Sequence, residues 1–309
     1  MIVSGEQNST ASVNLILRLI NAVFTRRGIV SAAISLTVAA GCIQIDFDQQ
    51  SLFTRRDVGG MLPVDSVKLK CHHVLEIQFP SQNHLELNGV LLTYSGLDST
   101  ATSPNYLIFF GGNDYLITQK TLDIFDLINC NILLLNYRGF GNNPGIPSIQ
   151  GIVKDGAGAY SFLTKSLDIP KRNVFLAGHS IGSFVALSLA EIDTVGGIIL
   201  DAPFTNFTDL SDDIQKEFPD YWKLLYRINY EDELFDLDNL SKVEQIQYPL
   251  LMIARENDKL VPITRVKALF SHTLSKKKYF TTIKNASHNN IIDINEYTEA
   301  INAFIEQYN

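Results

Sequence analysis

Short apolar runs alternate with helix-like segments along the chain from about residue 74 to the end. Several runs are apolar throughout, as in YLIFF, ILLLN, VFLAG, GIILD and LLMIA. Strands that are apolar on both faces are typical of a parallel sheet covered by helices on each side. The pattern predicts strands at 105–110, 131–136, 174–177, 197–200, 250–254 and 278–283. Two earlier runs, 75–80 and 85–94, predict an antiparallel hairpin.

The segments between these strands have helical spacing. We predict helices at 119–127, 149–167, 181–192, 264–274 and 295–308. In the last of these, apolar and aromatic residues from Tyr297 to Tyr308 fall on one face. Strand and helix in alternation predict an α/β fold with a doubly wound, mostly parallel sheet. We place it in one domain, residues 43–309.

Residues 205–247 interrupt this alternation. The segment is rich in aromatic residues and, between Asp209 and Leu240, holds ten acidic residues against Lys216, Lys223 and Arg227. Insertions of this length in a compact domain are usually lids or binding elements. We therefore predict a small helical cap, inserted after the strand that ends near Asp201.

The first 42 residues have a different composition. Arg26-Arg27 precede an uncharged apolar run, 28–41, which is followed by Cys42. The run is shorter than the ~20 residues of a membrane-spanning helix and matches the apolar region of a secretory signal. Small residues before Cys42 resemble the lipobox of bacterial lipoproteins, although Ala39 stands where leucine is usual. We predict a lipoprotein-type signal at 1–42, lipidation of Cys42, and export of a membrane-attached bacterial protein in preference to a cytoplasmic one. An uncleaved signal anchor, or an apolar tail with no part in export, is the alternative.

Composition narrows the classes of partner. The 309 residues are 46% hydrophobic and carry a net charge of −8, which argues against nucleic acid because duplex binding needs a basic face. Three cysteines and six histidines without metal-ligand spacing argue against a disulfide scaffold or a zinc site. We expect no metal and no cofactor.

The sequence VFLAGHSIGS, from Val174 to Ser183, carries the clearest chemical signal. It places Gly178-x-Ser180-x-Gly182 between a predicted strand and a predicted helix, which is the context of a nucleophile elbow. The motif alone is common by chance, so the flanking elements are what favour this interpretation. Ser180 is the predicted nucleophile, the two glycines supply space for the turn, and the Ile181 N–H is a predicted oxyanion donor.

A serine nucleophile needs a base, and the base needs an orienting acid. Asp258 follows the strand at 250–254, and His288 lies between the last strand and the last helix. The order serine, acid, histidine is that of enzymes with a nucleophile elbow. Glu256 competes with Asp258, which we favour because Val261-Pro262 follow it. His179 is interpreted as packing against the sheet edge.

Residues from about 75 to 309 resemble the α/β-hydrolase superfamily, and within it the Bem46-like serine hydrolases and esterases. The resemblance rests on FFGGN at 109–113, NYRGFG at 136–141 and APF at 202–204. It implies that the Asn113 N–H is the second oxyanion donor. Gly111 and Asn136 depart from the histidine and aspartate usual in the family. The first departure predicts a more mobile loop and a less preorganised oxyanion hole.

Taken together, these features predict a serine hydrolase that cleaves carboxylic ester or thioester bonds through an acyl-enzyme. A peptidase or amidase on the same three residues stays open, as does a catalytically silent relative that binds a partner through its cap. The expected partners are a small-molecule or lipid acyl substrate and a membrane reached through the N-terminal segment. Short-chain esters, lysophospholipids and S-acyl thioesters all fit.

The lipidation hypothesis predicts that Cys42→Ser moves the protein from the membrane to the soluble fraction, because a serine cannot carry the thioether-linked lipid. Fractionation followed by immunoblotting measures this. Unchanged membrane association of the variant would contradict lipidation of Cys42.

Overall fold

A computed structural model describes residues 35–39, 42–53, 67–82, 84–96, 104–216, 226–290 and 294–308. The strands in these parts of the chain are β1 (Ser35–Ala39), β2 (Cys42–Phe47), β3 (His72–Pro80), β4 (Glu86–Tyr94), β5 (Tyr106–Phe110), β6 (Asn131–Leu135), β7 (Val174–His179), β8 (Gly197–Asp201), β9 (Tyr226–Tyr230), β10 (Leu250–Arg255) and β11 (Lys278–Ile283). The helices are α1 (Gln119–Phe125), α2 (Ile149–Ser161), α3 (Ile181–Ile192), α4 (Phe207–Gln215), α5 (Asn239–Val243), α6 (Ile263–His272) and α7 (Ile294–Glu306).

Within the described residues, the central sheet has eight strands in the order β11-β10-β8-β7-β5-β6-β4-β3. Six of them, β5, β6, β7, β8, β10 and β11, are parallel neighbours. The hairpin β3–β4 joins this group antiparallel, through β4 and β6. The prediction of a mostly parallel sheet preceded by a hairpin is confirmed.

Helices cover both faces of the sheet, as a doubly wound fold requires. Ile152 of α2, Val185 of α3 and Leu269 of α6 are fully buried on one face. Leu122 of α1 and Ile301 of α7 are buried on the other. Parallel strands place all their carboxyl ends at one edge, so the loops after β5, β7, β8, β10 and β11 meet there.

One predicted helix differs from the structure. The helix predicted at 149–167 begins with a cap, in which the Ser148 side chain accepts from the Gly151 N–H at 3.0 Å. It is α-helical as far as Ser161. It then continues as a π-helical turn, Phe162–Ser166. The apolar spacing does not distinguish these two helical forms, because both keep Leu163 buried.

The cap predicted at 205–247 contains α4, α5 and a 3₁₀ turn at Asp232–Asp236, and it also contains the strand β9. In β9 the outward Arg227 and Asn229 alternate with the inward Tyr226, Ile228 and Tyr230. That alternation is a strand signal, but five residues are too few to stand out in an aromatic and acidic segment. In its described residues, 205–216 and 226–247, the cap therefore has one strand besides its helices.

The N-terminal part of the chain supplies the partner of that strand. β2 pairs parallel with β9 and antiparallel with β1. Cleavage before Cys42 would remove β1 and leave the β2–β9 pair intact. The Cys42 side chain and most of the predicted signal lie outside the described residues, and lipidation stays a prediction. Among the helices that the structure describes, none has the length and apolar character to cross a membrane.

Candidate active site

Ser180 lies on a sharp turn between β7 and α3. Its backbone angles are φ 55° and ψ −119°, a left-handed conformation that costs a residue with a side chain about 1–3 kcal/mol. The Ser180 N–H donates to the Asp201 carbonyl of the neighbouring β8 at 2.9 Å. The turn thus holds the serine at the carboxyl edge of the sheet, with its Oγ directed away from the strand.

The two glycines of the motif are required by close contacts between backbones. A Cβ on Gly178 would lie 2.2 Å from the Gly182 oxygen, and a Cβ on Gly182 would lie 2.0 Å from the Phe110 oxygen. Real Cβ atoms do not approach so closely, and here the obstacles are backbone atoms that cannot turn aside. Only glycine lets α3 start this close to β5 and β7.

His288 and Asp258 meet Ser180 from the loops after β11 and β10. His288 Nε2 lies 2.9 Å from Ser180 Oγ, and His288 Nδ1 lies 2.7 Å from Asp258 Oδ2. A carboxylate only accepts, so Nδ1 carries the proton and Nε2 is left to accept from the serine hydroxyl. Both residues are buried, which strengthens this electrostatic contact.

The structure separates the two candidate acids. Asp258 Oδ1 accepts the N–H groups of Leu260 at 2.9 Å and Val261 at 2.8 Å, which aim its second oxygen at His288. Glu256 instead accepts the Asn285 N–H at 2.8 Å on the surface of the histidine loop. Asp258, not Glu256, is the acid that contacts the histidine.

The predicted oxyanion donors both lie beside the serine. Ile181 is the first residue of α3, where the N–H groups have no intrahelical acceptor and the helix dipole favours negative charge. Asn113 and Ile181 line the same cavity as Ser180. The structure therefore brings both residues to the cavity of Ser180, and the oxyanion function of their N–H groups stays a prediction.

The loop that carries Asn113 is packed by neighbouring residues. A Cβ on Gly111 would lie 1.9 Å from the Tyr115 ring, so the tyrosine fills the space of the side chain usual at this position. The Tyr137 hydroxyl donates to the Gly111 oxygen at 3.1 Å. The Asn136 side-chain oxygen accepts a hydrogen bond from the Ile117 N–H at 3.0 Å, which holds the end of the loop next to α1. Both departures from the family pattern thus have packing partners in this chain.

A buried ion pair beneath the site was not predicted from the sequence. Arg255 Nε and Nη2 donate to the two oxygens of Asp201, at 2.9 and 2.5 Å. Arg255 Nη1 also donates to the carbonyls of Ser287, at 3.1 Å, and His288. Burial alone would raise the pKa of Asp201, but Arg255 and, more weakly, His179 hold it well below its ordinary value. A charged residue at the end of each of two apolar strands, GIILD and LLMIAR, was the available signal.

His179 packs behind the serine. Its Nδ1 lies 3.3 Å from Asp201 Oδ2 without hydrogen-bond alignment, and its ring centre lies 5.0 Å from that of His288. Burial and the nearby Arg255 charge lower the pKa of His179, with Asp201 opposing them. The side chain fits the predicted packing function.

An apolar cavity opens from the serine under the cap, with a volume of about 50 Å³. Its walls come from β2, β9 and α4 as well as from the loop after β8. The apolar and aromatic side chains in these walls are Ile45, Phe47, Leu52, Ile181, Phe204, Phe207, Leu210, Ile214, Ile228, Tyr230, Leu237 and Leu260. Within the described residues no cluster of histidine, cysteine or acidic side chains has the arrangement of a metal site.

Sequence comparisons find related proteins but no matching family model. An uncharacterized protein of Mycobacterium tuberculosis is 25% identical over 284 residues, covering 91% of this chain and 96% of that protein. Protein bem46 of Schizosaccharomyces pombe is 27% identical over 236 residues, covering 75% and 76%. Human alpha/beta hydrolase domain-containing protein 17B is 27% identical over 211 residues, covering 66% and 68%.

Solved structures show the same fold at lower identity. The Pyrococcus furiosus esterase Pf2001 superposes with a TM-score of 0.62 at 15% identity, covering 82% of this chain and 99% of the esterase. An acylaminoacyl peptidase of Pyrococcus horikoshii gives 0.58 at 14% identity, covering 78% of this chain and 42% of the peptidase.

The doubly wound sheet, the turn at Ser180 and these structures define an α/β-hydrolase fold. Together with the related sequences, they place the chain in the α/β-hydrolase superfamily, where it resembles the Bem46-like proteins. This placement supports hydrolase activity.

The buried pair gives a testable prediction. Arg255→Met leaves the Asp201 carboxylate buried without its partner, and we expect a loss of about 3–5 kcal/mol in the free energy of unfolding. Asp201→Asn combined with Arg255→Met leaves no unpaired charge and is expected to be more stable than Arg255→Met alone. Urea unfolding at pH 7 measures both. A double variant that is no more stable than the single one would contradict the account.

Proposed function

We propose that this protein is a serine hydrolase that cleaves carboxylic ester or thioester bonds through an acyl-enzyme. The observation that carries the proposal is the hydrogen-bonded series from Asp258 through His288 to Ser180, at 2.7 and 2.9 Å, at the mouth of an apolar cavity. Any one of these residues at its position would be unremarkable. A nucleophile, base and orienting acid in mutual contact are the arrangement that acyl transfer needs.

In the proposed reaction His288 Nε2 takes the hydroxyl proton as Ser180 Oγ bonds to the acyl carbon. Asp258 holds the imidazole in the required tautomer and stabilises its protonated form. The negative charge that develops on the acyl oxygen is stabilised by the N–H groups of Ile181 and Asn113. His288 then gives its proton to the departing alcohol or thiol. Water, activated by the same histidine, releases the acid and restores Ser180.

The cavity supports an acyl group of limited size. It starts at Ser180, is lined mainly by apolar side chains, and contains no charged residue among its described lining. Burying an alkyl chain there stabilises the complex by about 0.8 kcal/mol for each methylene group. Because its volume is only about 50 Å³, we expect the enzyme to prefer short acyl chains.

Two alternatives share the same residues. A peptidase or amidase has some support in the fold of the Pyrococcus horikoshii acylaminoacyl peptidase, which is similar to this one. A catalytically silent binding protein would keep the fold and lose the chemistry. The contact of His288 with Ser180 favours an active enzyme, since a silent relative has no need of it.

Membrane attachment belongs to the same proposal. Cys42, the proposed lipidated residue, is the first residue of β2, and Ile45 and Phe47 of that strand line the cavity. A lipid on Cys42 would hold the cavity close to the bilayer surface, where lipid acyl esters are concentrated. On this proposal the enzyme is exported and its substrates include membrane-derived acyl compounds.

The proposed nucleophile predicts covalent labelling of Ser180 by a fluorophosphonate probe. Wild type is expected to be labelled, whereas Ser180→Ala and His288→Ala are not, because the probe reacts with a serine that a base activates. We expect Ser180→Ala to lower ester turnover by several orders of magnitude. In-gel fluorescence and a chromogenic ester assay measure the two effects.

Ser183→Ala is the matched control for labelling, since Ser183 lies one turn away on α3 and donates to the Gly178 oxygen at 2.9 Å. Labelling that persists in Ser180→Ala would place the nucleophile elsewhere. Absence of labelling in folded wild type would support the silent alternative.

The acyl cavity predicts that Phe47→Ala shifts the preference toward longer acyl chains. Phe47 forms part of the wall and packs on Phe207 and Tyr230, with ring centres 6.5 and 6.0 Å apart. Removing its ring extends the cavity, so we expect the kcat/KM ratio of octanoate to butyrate p-nitrophenyl esters to rise about tenfold. Phe235→Ala, a cap residue that is half exposed and outside the cavity lining, is the control. An unchanged ratio in Phe47→Ala would refute this assignment of the acyl cavity.

A further inference from the structure

Helix α4 of the cap has two chemically different faces. Five of its nine residues line the apolar cavity at Ser180, and these are Phe207, Leu210, Ser211, Ile214 and Gln215. Asp209 and Asp213 lie one turn apart on the same helix and are not part of the lining. At 100° for each residue, the five lining residues share one face and the two aspartates fall on the opposite face. The helix therefore bounds the cavity on one side and carries two negative charges on the other.

Arg265 of α6 binds both of these aspartates. Its Nε and Nη2 donate to the two oxygens of Asp213, at 2.7 and 3.0 Å, and its Nη1 lies 2.9 Å from Asp209 Oδ1. The second oxygen of Asp209 accepts from the Thr205 hydroxyl at 2.5 Å. A bidentate contact with one carboxylate and an ion pair with another fix the guanidinium, and with it α4, more narrowly than a single charge contact would.

Arg265 belongs to an element that also contributes to the cavity region. It lies in the first turn of α6, three residues after Pro262, where the loop that carries Asp258 ends. Leu260 of that loop lines the cavity at Ser180. The ion pairs of Arg265 thus hold α4, one wall of the cavity, to the helix that begins directly after the loop of the predicted acid.

The acidic composition of the cap makes this cation important for the position of α4. Between Asp209 and Leu240 the sequence has ten acidic residues against three basic ones. Like charges four residues apart on a helix repel, so without Arg265 the two aspartates would destabilise the place that α4 occupies. On its other face α4 makes mainly apolar contacts, which are non-directional and allow a helix to shift. The directional hydrogen bonds to Arg265 are therefore what fixes its position against the cavity.

We propose that Arg265 determines the acyl-chain selectivity of the enzyme, as a positioning residue that fixes α4 as a wall of the cavity and so restricts the enzyme to short acyl chains. The inference rests on the proposed function. Arg265 is not among the residues that line the cavity, so it acts through α4. With α4 held, the cavity keeps its volume of about 50 Å³. With the ion pairs removed, α4 can move outward and a longer acyl chain can enter.

Arg265→Met tests the proposal, because methionine keeps part of the apolar stem and removes the guanidinium. We expect the kcat/KM ratio of octanoate to butyrate p-nitrophenyl esters to rise about fivefold, while labelling of Ser180 by a fluorophosphonate is retained. A merely structural function of Arg265 would lower stability without changing this ratio.

Lys242→Met is the matched control. Lys242 connects the cap helix α5 to Glu191 of α3 at 2.6 Å, and its side chain is 18% exposed, against 27% for Arg265. The variant therefore removes a second ion pair between the cap and the rest of the domain, but no residue of α5 (Asn239–Val243) lines the cavity. We expect it to keep the wild-type ratio. An unchanged or lowered ratio in Arg265→Met, or an equal rise in Lys242→Met, would overturn the inference.

A second variant approaches the same contact from the cap. Asp213→Asn keeps the shape of the side chain and the ion pair between Arg265 and Asp209, so we expect a smaller rise in the ratio. The double variant Asp213→Asn with Arg265→Met is expected to show no larger rise than Arg265→Met alone, because residues that act through one contact are not additive. Additive rises would show that the two residues act separately and would overturn the inference.

The same experiments distinguish this inference from the proposed function. Labelling of wild type together with unchanged selectivity in the variants would overturn the assignment of Arg265 and leave Ser180 as the nucleophile. Absence of labelling in folded wild type would instead overturn the proposed function, and the inference with it.

Discussion

The left-handed backbone of Ser180, with φ at 55°, is the constraint on which the site depends. The conformation is unfavourable in isolation and persists because its surroundings leave no alternative. Gly178 and Gly182 bring α3 against the backbone of β5 and β7, and the Ser180 N–H is held by the carbonyl of Asp201. Local strain at the turn is thus offset by packing across three strands, which directs the hydroxyl toward the loops that carry the acid and the base.

Asp201 has a second function in this arrangement. Its backbone fixes the serine turn, while its side chain binds Arg255, which in turn donates to the carbonyl of His288. The buried ion pair, with Asp201 at the end of β8, therefore connects the serine turn after β7 with the loop after β11. A buried pair of this kind contributes little net stability compared with apolar packing, but it fixes the relative position of two loops that share no strand.

Much of the fold could be predicted from residue pattern alone. Continuous apolar strands, each followed by a helix, predict a parallel sheet whatever the identity of the individual apolar residues. In such a sheet the loops after the strands lie at one edge, so Ser180, Asp258 and His288, each after its own strand, could be predicted to meet there. The choice of Asp258 over Glu256 needed only the local Val261-Pro262 signal, and backbone donors to Asp258 explain why the choice agrees with the contacts.

What the pattern missed depends on contacts between distant segments. The β2–β9 pair joins residues about 180 positions apart, and five alternating residues do not reveal a strand whose partner is unknown. The ion pair between Arg255 and Asp201 was missed for the same reason, because in the sequence each residue is only the last residue of a predicted strand. The contribution of β2 to the wall of the cavity at Ser180 was missed for the same reason, although it brings the N-terminal segment to the candidate active site.

The most direct test of the central claim is intact and peptide mass spectrometry of the enzyme quenched during turnover of p-nitrophenyl butyrate. The account predicts a mass increase of one butyryl group, located on the peptide that contains Ser180 and absent from Ser180→Ala. A butyryl group on another residue, or undiminished turnover by Ser180→Ala, would contradict it.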